Sequence, residues 1–159
     1  VNALGTIPVV AKDGYDFSGI TIVERGSYSI SGSSSVDMGA SMHLFDWANP
    51  VLGSVENTTL TSLSDFSLND GMVHNWSASG SFDLTTATWD GIRNVGLTLD
   101  NLLTATSLSI GDSAFIDKSS VGGVGITFET APVVVPVPAA IWLFGSGLLG
   151  LIVTTRRKA

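Results

Sequence analysis

Apolar residues recur at every second position over much of the chain. Val36, Met38, Ala40, Met42 and Leu44 form one such series, with Asp37, Ser41 and His43 on the opposite parity. Met72, His74, Trp76, Ala78, Gly80, Phe82 and Leu84 form another. Shorter examples are Ile20/Ile22, Tyr28/Ile30, Val95/Leu97/Leu99, Leu108/Ile110 and Val124/Ile126/Phe128. Period two is the mark of strands that bury one face, and no helical period persists before residue 130. Turn chemistry falls between the runs. Arg25-Gly26 is expected to separate two strands, Asn69-Asp70-Gly71 to precede the Met72 strand, and Asp100-Asn101 and Gly111-Asp112 to break the later ones. The phase slips between Trp89 and Val95 around Gly91, which predicts a bulge. About eight to ten strands at this spacing predict a mainly β fold, an antiparallel β-sandwich of jelly-roll type. A β-solenoid is the structural rival, and the fixed-period repeat it requires is absent from the sequence.

After residue 129 the pattern changes. TAPVVVPVP, residues 130–138, is uncharged and interrupted by proline, and reads as a semi-rigid linker. An apolar run follows over 139–155, and Arg156, Arg157 and Lys158 close the chain. As a helix the run would rise about 25 Å, slightly under the roughly 30 Å hydrocarbon thickness. Its eight larger apolar side chains contribute roughly −2 to −5 kcal/mol toward insertion. No polar face recurs at helical spacing, which favours lipid over a half-exposed site. The run therefore predicts a transmembrane helix with its basic end in the cytoplasm; a buried C-terminal helix is the alternative. Ser146 and Gly150 form a small-x-x-x-small pair suited to a second helix.

The segment VPVPAAIWLFGSGLLGLIVTTRRK, Val135–Lys158, resembles a PEP-CTERM protein-sorting signal of Gram-negative bacteria. It is most similar to the variant opening Val-Pro-x-Pro, with Val137 where the name-giving pattern has Glu. The resemblance implies export across the inner membrane and recognition by an exosortase, a membrane-embedded cysteine transpeptidase. On that reading Val135, Pro136, Val137, Pro138, Ala139, Ala140 and Trp142 are the sorting element, and Arg156, Arg157 and Lys158 set topology. It further implies removal of the helix and a role beside exopolysaccharide or biofilm matrix. Since such a tail demands translocation, an N-terminal secretion signal is expected to precede Val1.

This divides the chain into an exported β domain over 1–129, a linker with its recognition motif over 130–138, a membrane helix over 139–155 and a basic end over 156–159. Charge sharpens the division. Fourteen acids face seven cations in the whole chain. Only Lys12, Arg25, Arg93 and Lys118 among those cations lie before the tail. A body so acidic lacks the basic footprint that nucleic acid needs. The chain has no cysteine, which removes disulfides, thiolate metal sites and a cysteine nucleophile of its own.

Candidate chemistry in the body is sparse. His43 lies near Asp46 in sequence, the pairing a general base would need, and His74 shares the parity of Trp76 and Phe82. No G-x-S-x-G elbow occurs before the tail. Enzymatic activity is therefore not expected; an envelope enzyme would require converging carboxylates in a concave pocket, or His43 beside an acid. No cofactor is called for. Asp13, Asp16 and Asp70 offer oxygen ligands of the type Ca2+ takes, without the spacing of a dedicated loop. Trp47, Trp76 and Trp89 are the candidate sugar platform. The expected function is that of an exported structural or adhesive protein of the cell surface or matrix. The alternatives are a carbohydrate-binding module, marked by a tryptophan exposed on a sheet face, and an uncut membrane-tethered envelope protein.

Overall fold

The computed structural model describes residues 2–119 and 122–133. The sorting element, the membrane run and the basic end all lie outside the described residues. So do residues 134–138 of the expected linker, whereas its start, Thr130, Ala131 and Pro132, is strand, paired with Phe17, Asp16 and Tyr15. Among the described residues no helix is long and apolar enough to cross a membrane.

The fold is mainly β, built from antiparallel sheets. One sheet contains β1 (Asn2–Val10), β7 (Asn94–Thr106), β3 (Ser35–Asp46) and β4 (Val55–Thr59), in that order. The second contains β5 (Thr61–Ser62), β6 (His74–Asp83) and β2 (Tyr15–Ser31), then β8 (Ser113–Lys118). β9 (Val124–Pro132) also pairs with β2. β8 and β9 share one edge of β2, β9 along its first half and β8 along its second. Arg25 bridges them, accepting from the Ser119 amide and donating to the Gly123 carbonyl at 3.0 and 2.8 Å.

Alternation puts the apolar series of both sheets into one core. Met42 and Leu44 of β3, Leu97 and Leu99 of β7, Ile20 and Ile22 of β2, and Trp76 and Ala78 of β6 are all buried there. Burial at about 25 cal/mol per Å² of apolar surface is the driving term, and no disulfide supplements it.

Five sequence expectations are corrected. Arg25-Gly26 is no turn, because β2 runs through it for 17 residues. The alternation Ile20, Ile22, Glu24, Gly26, Tyr28, Ile30 is unbroken and every member is buried. Asp100-Asn101 likewise lies inside β7. Leu108 and Ile110 sit in the connection between β7 and β8, at 73% and 108% exposure, and form no strand. Met72 is exposed and precedes β6, which starts at His74. The phase slip near Gly91 is a turn-rich connection between β6 and β7, with Gly91 at a φ of 72°.

The first two departures have a common cause. Glu24 of β2 points into the core with no exposed surface, where Asn101 Nδ2 donates to its Oε1 at 2.8 Å and Lys118 Nζ pairs with the same oxygen. Gly26, the next inward position, is needed for space. A side chain there would collide with the Asp117 carbonyl and the Trp76 indole. Trp76 lies against this gap and donates Nε1–H to the Asp117 carbonyl at 2.8 Å.

Candidate functional site: an aromatic strip on the outer sheet face

In β3 the residues of odd number face away from the core. At the end of the strand three successive outward positions carry rings. His43 and Phe45 lie in β3, and Trp47 follows it directly. Their centroids are 5.4 Å apart for His43–Phe45 and 5.8 Å for Phe45–Trp47, each pair inclined by 35°. The rings thus form a shallow strip instead of an edge-to-face cluster.

The neighbouring strands make room for it. Gly96 of β7 pairs with Phe45, and a side chain at Gly96 would collide with both the Phe45 and Trp47 rings. The two rings therefore lie across β7 at its one bare position. On the other side Val55 of β4 pairs with Phe45 and is half exposed, while Asn57 pairs with His43. His43 Nδ1–H donates to Asn57 Oδ1 at 2.6 Å, which fixes the imidazole plane. Trp47 is 41% exposed. Its backbone amide donates to the Asn94 carbonyl at 2.9 Å, so the residue that carries the ring is tied to β7.

The other two tryptophans of the expected platform are buried. Trp76 is 2% exposed for the packing reason given above. Trp89 is 3% exposed and donates Nε1–H to Glu56 Oε2 at 2.9 Å. Both indoles place their large apolar area in the core and give their one donor a partner, the usual outcome for a ring with a single polar atom. Only Trp47 of the three remains open to a ligand. Phe45 and Gly96 were not among the expected site residues. The signal for Phe45 was available, since it shares the outward parity of His43 and Trp47. That for Gly96 was not, because it depends on the pairing of β3 with β7.

The carboxylates expected to favour Ca2+ are dispersed and already engaged. Asp13 pairs with Arg93 Nη2 at 3.2 Å, and Asp16 lies 3.7 Å from Arg93 Nε. The same guanidinium donates to the Tyr15 and Lys12 carbonyls, so Arg93 locks the connection between β1 and β2. Asp70 lies at the other end of β2 and accepts from His74 Nε2 at 2.9 Å and from the Met72 amide at 2.8 Å. Those two hydrogen bonds hold its carboxyl below the usual carboxylate range. Among the described residues no group of three or more potential metal ligands converges. The pairing of His43 with Asn57 also replaces its expected proximity to Asp46, whose carboxylate instead accepts from the Ala48 amide at 2.9 Å.

A cleft of about 470 Å³ opens where the connection between β6 and β7 faces the start of β2. Asp16, Thr85, Trp89 and Asp90 are on its lining. Asp16 there is the carboxylate beside Arg93.

Comparison with protein-family models, with curated proteins and with solved structures finds no match to this chain.

Proposed function

We propose that this chain is an exported adhesive or structural protein of the cell surface or extracellular matrix, sorted by an exosortase through Val135–Lys158. The aromatic strip carries the adhesive part of this reading. A soluble domain that exposes Trp47 beside Phe45 presents contact area that its own core does not use. The delivery part rests on the resemblance of the tail, with Pro136 and Pro138 at the recognition element and residues 139–155 as a transient membrane helix. In its finer architecture the body is a jelly-roll-like sandwich. The chain passes between the two sheets after β1, β2, β4, β6 and β7, and both sheets contribute to one core, which supports that assignment. A carbohydrate-binding module is the second reading, favoured by the position of Trp47 at the edge of an open sheet face.

Delivery is tested by the intact mass of the protein from a host that carries an exosortase, compared with the same host lacking the enzyme. The expected result is loss of the segment after about Pro138 in the first host only. An unchanged mass in both would remove the sorting step and leave the tail as a plain anchor.

A further inference from the structure

We infer that the outer face of the β1-β7-β3-β4 sheet binds a linear glycan that carries no anionic group, with the chain lying along β3. The inference rests on the adhesive reading above and names its ligand. It does not depend on whether the tail is cut.

Three features of the face select this ligand. The first is the strip itself. The axial C–H bonds of a pyranose ring are polarised toward positive hydrogen, and an aromatic face is negative, so a sugar stacks on a ring without needing a deep pocket. Phe45 and Trp47 are held at a mutual inclination of 35°, nearer to parallel than to edge-on, with bare Gly96 beneath them. Successive sugars of one chain can therefore use both rings.

The second feature is continuity. From Phe45 the outward positions of β3 run through His43 and Ser41 to Gly39, about 20 Å of strand at roughly 3.3 Å per residue. A shallow groove of about 370 Å³ opens at Gly39, lined by Ser41, Thr59, Asp100 and Leu102 among others. A Cβ at Gly39 would meet none of the described residues within 4 Å, so the groove is open at that point. Hydroxyl and carboxylate oxygens along this path, from Ser41, Thr59 and Asp100, suit the many O–H donors of a sugar chain.

The third feature is charge. Asp37 and Asp100 are exposed on this face by the alternation of β3 and β7. No Lys or Arg among the described residues joins them. Lys118 turns inward to Glu24, Arg93 sits on the connection before β2, Lys12 lies in that connection, and Arg25 belongs to the other sheet. A uronate or sulfated chain would meet two carboxylates and no cation, an arrangement that rejects it. A protein partner is disfavoured by the narrowness of the strip, which grades within one strand into small polar residues.

The test is affinity electrophoresis of the full-length chain in mild non-ionic detergent, through gels containing a neutral β-glucan or alginate. The neutral glucan is expected to retard the protein and alginate is not. Trp47→Ala should weaken retardation roughly tenfold or more, as loss of a central aromatic anchor does. Trp47 is partly exposed, so melting of this variant should stay close to that of the parent. Phe45→Leu, which keeps an apolar cover over Gly96, gives a second reading of the same strip. The combined Asp37→Asn and Asp100→Asn variant should gain retardation by alginate. Equal retardation of the parent by both polymers would overturn the charge selection. Unaltered binding by Trp47→Ala and Phe45→Leu would overturn the site. Retardation by neither polymer, with self-association abolished by Trp47→Ala, would make the face a contact between copies and overturn the ligand, while the sorting reading would stand on its own mass measurement.

Discussion

Replacing Lys118 by Met is expected to lower the unfolding free energy by about 3–5 kcal/mol, the usual cost of leaving a buried charge without its counter-ion. Glu24 is wholly buried, Lys118 pairs with its Oε1, and Glu24 Oε2 has no hydrogen-bond partner among the described residues. With the ammonium gone, Asn101 Nδ2 would be the remaining donor to a carboxylate in an apolar interior. That loss is a large part of the roughly 5–15 kcal/mol typical of a whole domain. The pair itself need not be a net source of stability. Taking two charges out of water is costly, so Glu24→Leu combined with Lys118→Met is expected to recover most of the deficit, less about 1–3 kcal/mol for the Asn101 amide it orphans. Urea denaturation followed by tryptophan fluorescence measures all three proteins. A single-variant loss below about 1 kcal/mol would class the pair with solvated surface pairs instead.

Trp76→Ala is expected to cost about 3–5 kcal/mol, the range for removing a buried large aromatic. The indole fills the space above Gly26, packs with Phe66 at a centroid distance of 6.5 Å, and supplies a hydrogen bond to the Asp117 carbonyl across the sheet. Its loss opens a cavity where β6, β2 and β8 meet. Thermal unfolding should show a downward shift for Trp76→Ala far larger than for Trp47→Ala. Comparable shifts would mean that the two indoles are not divided between core and surface as described.

The legible and illegible parts of the fold separate on physical grounds. The series Val36 to Leu44 alternates without exception, and all five apolar members are buried. Glu24-Arg25-Gly26 reads locally as a turn because charge and glycine are rare on a core face. It is strand because Lys118, 94 residues away, neutralises Glu24 while Asn101, 77 residues away, hydrogen-bonds it, and because an indole needs the space at Gly26. Asn101 is the other half of the same interaction, and that is why Asp100-Asn101 imitates a break. Leu108/Ile110 shows the opposite failure, since two alternating residues are too few to carry a period. At the candidate site, composition alone points to Trp47. Counting parity from the buried Leu44 adds Phe45 and His43, whereas the bare position beneath the rings depends on long-range register. The tryptophans themselves could not be ranked, because burial of Trp76 and Trp89 rests on their acceptors Asp117 and Glu56.

The outer face of β3 is the surface proposed to meet a glycan. Backbone and indole NMR shifts of the isotope-labelled protein, titrated with a neutral glucan oligosaccharide, test this most directly. The predicted result is progressive movement of the Trp47 indole signal together with the amides of Phe45, Gly96 and Thr98, while the Trp76 and Trp89 indoles stay still. Movement confined to the cleft at Thr85 and Trp89, or none at millimolar oligosaccharide, would contradict it.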